Sequence, residues 1–366
     1  MSHRAFVARG RIVLRRALQS LRPDDHEVRA HFRRLRTEFY LDFWTGAAHG
    51  VGAEIERVEG DLLRVRRGDQ WTWVSIFEVM LDTHLGVKVA ANKPVVHKAF
   101  AEAGLPAPPY LVYSMASFDR AVRFMEEQGG AVVVKPAQGT GAGQGVTTGI
   151  DDVRTLETAS INAADYFAAP LMVERHLAGS SYRLLYLGGQ FIDAVRRDPP
   201  TVVGDGKRSV RELVEAETVR RYSSGNVVAL HPLPMDLDGR LHLARQGLTL
   251  ASVPESGRRV EVKNVVNQNA ARENHVVRDE IHPDVVEQGA RLVAHVGLDI
   301  AGVDLMSSDV SRPLEGSDTY FNEINAMPGL HHHVLVAERS RTLPVGEMVL
   351  EHVFASAKAP AAGTSL

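Results

Sequence analysis

Three oxygen-bearing side chains stand close together between Gly297 and Leu330: Asp304 on one apolar-alternating run, and Glu323 and Asn325 on the next. Side chains alternate along a strand, so Glu323 and Asn325, two apart, share a face. If the two runs pair as neighbouring strands, Asp304 joins them. Two carboxylates and an amide oxygen on one face suit a hard cation such as Mg2+, which keeps waters and nucleotide phosphates among its ligands. An exposed polar strand edge is the other reading. Tyr320, Phe321 and Ile324 argue for a buried setting, where a bare carboxylate needs a partner.

A second group lies upstream. An apolar strand over Ala131–Lys135 runs into a turn with Gly139, Gly141, Gly143 and Gly145 at alternate positions, followed by a strand over Val146–Ile150. Few side chains fence off that backbone, so its amides can point at an anion, and Lys135 adds a point charge. The spacing fits neither the dinucleotide fingerprint nor the P-loop: Gly206-Lys207 is followed by Arg208, and Thr201 stands where that motif needs glycine. A glycine-rich hairpin without a ligand is the alternative. A third strand, Pro170–Glu174, ends in a carboxylate, and the linker Glu174–Leu177 can offer backbone groups to an adenine edge; a surface salt bridge explains Glu174 equally well.

The elements that must hold these groups are partly legible. Residues 5–36 read as a polar-faced helix interrupted at Pro23, and Glu38–His49 as a separate aromatic helix. Strands follow over Ala53–Val58, Leu62–Arg66 and Gln70–Val74, set off by Gly60 and Gly68-Asp69 turns. Asn92 caps a helix with Pro94 in its first turn and Gly104 at its end, and Ser117 caps another. A strand pair, Arg183–Leu187 and Gln190–Val195, surrounds Gly188-Gly189. Ser209 caps a helix over Val210–Glu217. Residues 218–245 read as irregular with a turn at Asp236–Gly239, Gly247–Val253 and Arg259–Val266 as strands, and Pro283 opens a helix that Gly297 ends. Residues 356–366 read as a mobile tail.

Composition bounds the rest. A chain of 366 residues can hold two or three domains. A net charge of −3 gives no reason to expect nucleic acid, and the lack of Cys excludes disulfides, thiolate zinc sites and a Cys nucleophile and fits a reducing cytoplasm. No apolar run approaches the ~18–20 residues of a membrane span. The ten Arg in the first 36 residues suit an exposed helical face better than a transit peptide, because Asp24, Asp25 and Glu27 interrupt them.

Taken in order, NKPVVHKAFAEAGLPAPP, VVVKPAQGTGAGQGV, LMVERHLAGSSYRLLYLGGQ, RDPPTVVGDGKRSVRELVE, QGLTLASVPESG, VNQN, IHPD, GLDIAGVDL and NEINAMPGL resemble the ATP-grasp superfamily of carboxylate ligases. The texture is nearest the ATP-grasp module of cyanophycin synthetases and bifunctional glutathione synthetases, and covers roughly residues 91–336. The resemblance implies an α+β fold of two lobes gripping ATP, preceded by a small N-terminal α/β domain. It divides the chain into 1–90, a central lobe 91–170, a C-terminal lobe 171–355 and the tail.

It also implies roles. Lys93 and Lys135 would hold phosphates beneath the loop Gly139–Gly145. Glu174, Arg175 and Leu177 would hold adenine. Asp304, Glu323 and Asn325 would bind Mg2+ or Mn2+. Arg197 and Lys263 would flank the acyl-phosphate, with Asn267 nearby in a less defined role. Small amino-acid-like acid and amine substrates, a cytoplasmic homodimer, and no nucleic acid or membrane partner follow from the same likeness. A nucleotide-binding scaffold and a ligase acting on a protein tail are the competing functions.

Two departures stand out: Ser180-Ser181 replace the acid that usually grips the ribose, leaving water or another acid such as Asp165, and His331-His332-His333 replace an Arg-led run. On a strand His331 and His333 would share a face, open to a substrate-facing, a structural or a zinc-binding role.

Overall fold

The computed structural model describes residues 23–139, 143–166, 170–223 and 225–356. Residues 5–22 of the expected first helix, Gly141 and the tail 357–366 lie outside the described residues.

An N-terminal helix, α1 (Pro23–Gly50), leads into a meander of β1 (Glu54–Glu59), β2 (Leu62–Arg67), β3 (Gln70–Ser75) and β4 (Glu78–Val79). Sequence reading divided α1 in two; instead one helix runs unbroken from Pro23. Proline is tolerated in a first turn, where its missing N–H is not needed. Alternation in β2 and β3 buries Leu63, Val65, Thr72 and Val74 against Tyr40 and Trp44 of α1.

Two short helices follow, α2 (His84–Ala90) and α3 (Lys93–Glu102). Asn92 caps α3 by accepting from the Val95 N–H at 3.3 Å. Next comes a four-stranded antiparallel sheet in the order β5 (Tyr110–Tyr113), β8 (Leu171–Arg175), β6 (Val132–Pro136), β7 (Thr147–Ile150). It is covered by α4 (Phe118–Gln128) and α5 (Val153–Tyr166), which share one apolar core with it. Ser117 does not cap α4 with its side chain; its hydroxyl turns back to Ser114.

A five-stranded antiparallel sheet forms the centre: β13 (Asn274–Val276), β10 (Gln190–Arg197), β9 (Ser180–Leu187), β14 (Ile300–Ser307) and β15 (Tyr320–Ala326). One face packs Leu184, Tyr186, Val303, Leu305 and Phe321 against α2, α3 and α8 (Pro283–Val296). Leu185, Leu187 and Ile300, on the other face, join the core of the N-terminal unit and α9 (Val345–Ala355).

The smaller pair β11 (Thr201–Val203) and β12 (Arg259–Glu261) packs with α6 (Val210–Ser223) and α7 (Leu237–Arg245). Here the sequence reading needs correction. The Asp236–Gly239 turn is the start of α7, with the Asp236 side chain accepting from the Gly239 N–H at 3.0 Å. Gly247–Val253 forms no strand, and β12 is three residues long. Among the described residues no helix is long and apolar enough to cross a membrane.

Candidate active site

Lys135 is the penultimate residue of β6 and is 5% exposed. Its ammonium meets Glu174 Oε1, on neighbouring β8, at 2.6 Å. Lys93 opens α3, anchored by its N–H to the Ala137 carbonyl at 3.1 Å, and its ammonium crosses to Glu323 Oε1 of β15 at 3.0 Å. Burial pulls the Lys93 pKa down, but Glu323, then Glu174 and Asp304, outweigh it and hold it above the ordinary value. One turn further on, His97 lies 3.6 Å from Glu174 Oε2. Burial first, then Lys135 and Lys93, push His97 down to about 3, so the ring is neutral. Glu174 Oε2 is therefore a buried acceptor without a hydrogen bond.

The opposite wall is the face of the central sheet beyond its packed end. Asp304 and Glu323 are register partners on β14 and β15, and Asn325 is opposite Gly302. A register shift at this point leaves Asn322 unpaired. The shift lets Phe321 and Ile324 bury on one side while Glu323 turns to the other. Asp304 is gripped by Arg183, which donates from Nε to Oδ1 and from Nη2 to Oδ2, both at 2.7 Å. Arg197 Nη2 reaches the same Oδ2 at 3.1 Å and also donates to Ser181 Oγ at 2.8 Å, while its Nη1 donates to Asn267 Oδ1 at 3.2 Å. Burial would raise the Asp304 carboxyl, but Arg183 and Arg197 hold it below the usual range. Burial lowers Arg197 to about 10, Asp304 opposing.

These walls enclose a cavity of about 750 Å³. Lys93, Lys135, Arg183 and Arg197 line it against Glu174, Asp304 and Glu323, four cations to three carboxylates, so the inner ring carries one net positive charge before any ligand enters. Arg175, Leu177, Asn267 and Asn325 line it too, as does Gly143. Gly143 has φ 70°, and a Cβ there would overlap Val265, so the glycine loop closes against the Val265–Asn267 segment only without a side chain. Gly139 and Gly145 are also left-handed but stand outside the lining.

Lys263 and His333 also stand elsewhere. Lys263 is fully buried and held by Asp236 Oδ2 at 2.6 Å and Gln268 Oε1 at 3.0 Å, outside the lining. His331–His333 is not a strand: the chain leaves β15 through Met327 at φ 48° and winds Leu330–His333 into a 3-10 turn. His331 and His332 consequently face the cavity, while His333 points into the core and binds Asp193 Oδ2 at 3.0 Å.

A divalent cation fits the donor set. Asn325 spends its N–H on the Gly302 carbonyl at 3.3 Å, which leaves its Oδ1 without a hydrogen bond among the described residues, beside two carboxylates on the same wall. Among the described residues no three His, Cys, Asp or Glu side chains form a metal cage, so the remaining ligands would be water and phosphate, the habit of magnesium.

No family model matches the chain. Cyanophycin synthetase of Nostoc sp. is 32% identical over 254 residues, 68% of this chain and 28% of that protein. The glutathione biosynthesis bifunctional protein of Mannheimia succiniciproducens is 29% identical over 283 residues, 76% and 37% of the two chains. The crystal structure of a bifunctional glutathione synthetase from Pasteurella multocida superimposes with a TM-score of 0.51 at 24% identity, covering 83% of this chain and 41% of that one. The chain belongs to the ATP-grasp superfamily. It spans less than a third of the length of the Nostoc relative.

Sequence reading missed Arg183 of this ATP-grasp protein, since its role depends on the β9–β14 register that sets it opposite Asp304. It missed His176 and His332 as lining residues as well. Ser181, where the family's ribose-gripping acid is absent, holds Arg197 instead.

Proposed function

We propose that the chain is an ATP-dependent carboxylate–amine ligase. The observation that carries this reading is the convergence of four cations and three carboxylates, from both sheets and α3, on one cavity large enough for a nucleotide and small substrates. A carboxylate is a poor electrophile because it is anionic. Its oxygen attacks the γ-phosphorus of ATP, the bond to ADP breaks, and the resulting acyl-phosphate accepts an amine at its carbonyl carbon. Phosphate then leaves, and the nitrogen loses a proton.

The residues position and neutralise; none forms a covalent bond. Lys93 from α3 and Lys135 from β6 spread positive charge along the phosphates. Glu174, Arg175 and Leu177 flank the adenine end, where the unpaired Glu174 Oε2 accepts an N–H. Arg197 balances charge on the acyl-phosphate, pinned by Ser181, Asn267 and Asp304. Asp304, Glu323 and Asn325 would hold a magnesium or manganese ion, which would supply positive charge to the phosphate oxygens. The loop through Gly143 excludes water, which would otherwise hydrolyse the acyl-phosphate.

ADP release, measured over pairs of amino acids and short acids with ATP and Mg2+, tests the reading. Release that needs both an acid and an amine is expected. Nucleotide binding with no acid- and amine-dependent release would instead make the chain a nucleotide-binding scaffold.

A further inference from the structure

The N-terminal unit and the His331 turn also line the cavity, and the ligase reaction gives their side chains no task. Arg36 of α1 lines it, half-buried, and makes no ion pair or hydrogen bond among the described residues. Asp61 and Glu78 line the same region from exposed positions, and neither pairs with Arg36.

The rings of His231, His331 and His332 line the same cavity in mutual contact, and Arg36 lies near enough to act on the first two. The His331 ring is set by Tyr40. The Tyr40 oxygen accepts the His331 backbone N–H at 3.3 Å, so its own O–H is free to donate to His331 Nδ1 at 2.9 Å. In the tautomer in which Tyr40 donates, the ring proton stands on Nε2, for which no hydrogen bond is present among the described residues, on a ring that lines the cavity. His332 is 8% exposed and carries a buried Nδ1 without a partner. The three rings are uncharged, through burial first and then through Arg36 for His231, through His231, Arg183 and Arg36 for His331, and through the His331 ring for His332. The region therefore presents a guanidinium that forms no ion pair among the described residues, beside a histidine ring held by Tyr40. A planar fork of N–H groups is the partner of a carboxylate.

We propose that Arg36 and His331 form a subsite for a substrate carboxylate that does not react. This rests on the ligase reading and narrows its substrates: one of the two carries a second anionic end, either the free carboxylate of an amino-acid amine or the far carboxylate of a dicarboxylic acyl substrate.

The test compares wild type with Arg36→Gln in steady-state ADP release. One arm sets amino acids beside their amides as amines; the other sets dicarboxylic beside monocarboxylic acids as acyl substrates. Binding of AMP-PNP with Mg2+ reports that the variant is folded. The loss of charge-assisted bonds predicts a rise in KM of about 10- to 100-fold for the doubly functional substrate in one arm, with no such rise for its neutral counterpart. The arm that responds names the source. Equal effects on charged and neutral substrates, or none on either, overturn the subsite while leaving the ligase standing. No ADP release from any pair removes both readings.

Discussion

Arg183 and Arg197 hold the same carboxylate in different ways, and the difference separates their tasks. Arg183 uses both arms of its fork on Asp304 and has no other hydrogen bond among the described residues. Arg197 spends one contact on Asp304 and the others on Ser181 and Asn267, at the cavity wall. Removing Arg183 leaves Asp304 buried with a single cation, and a broken buried pair typically costs ~3–5 kcal/mol. Arg183→Ala should lower the urea midpoint accordingly; an unchanged midpoint would mean that Asp304 finds another cation. Arg197→Ala should act on rate instead. Turnover is expected to fall by ~10²–10³, the usual loss for one preorganised donor, with AMP-PNP affinity within a few-fold of wild type. A variant that turns over normally would remove Arg197 from the acyl-phosphate.

Packing of elements sets where these side chains meet, and one contact tests it sharply. Gly289 brings α8 directly onto the ring of Tyr186 in β9, whose hydroxyl donates to the Val286 carbonyl at 3.0 Å. A Cβ at Gly289 would overlap that hydroxyl. Alanine gains up to ~1 kcal/mol of helix propensity, while overpacking a rigid core costs ~1–3 kcal/mol. Overlap should win: Gly289→Ala is expected to destabilise, and a raised urea midpoint would show that α8 shifts freely. How much was legible follows the same physics. Alternation fixed which residues of β14 and β15 share a face, and cap chemistry at Asn92 and Gly297 marked helix ends. Partners across strands were not legible: nothing near Arg183 in the chain points to Asp304, 121 residues away. The polar helix α7 hid because its first turn, Asp236–Gly239, has the composition of a turn. The His331–His333 run turned the other way because Met327, Pro328 and Gly329 end β15 before it.

At the scale of the whole molecule, the shared core of the N-terminal unit, the central sheet and α9 closes over uncharged histidines. Burial, with nearby cations behind it, lowers His231 to about 4 and His97 to about 3, and holds His331 and His332 well below the ordinary value. The unfolded chain takes up these protons near pH ~6.5, and the folded chain does so only near or below pH 4. Where the unfolded state binds more protons, stability rises with pH. Each histidine therefore contributes stability that is complete above about pH 6.5 and is lost as the pH falls towards 4, at up to ~1.4 kcal/mol per pH unit. The carboxylates held low, such as Glu217 at about 2, lose their contribution only below the ordinary carboxylate range and do not mask this window. The His331 and His332 rings, 4.1 Å apart, cannot both take a proton without repulsion, which extends their loss to lower pH. Urea midpoints should be flat from pH 8 to 7 and fall from pH 6.5 to 4.5. His97→Gln, remote from the His331 turn, should flatten the slope by roughly one proton's worth. A midpoint that holds steady to pH 4.5 would mean that the histidines open to water, and that the cavity at the His331 turn is not the closed pocket its walls describe.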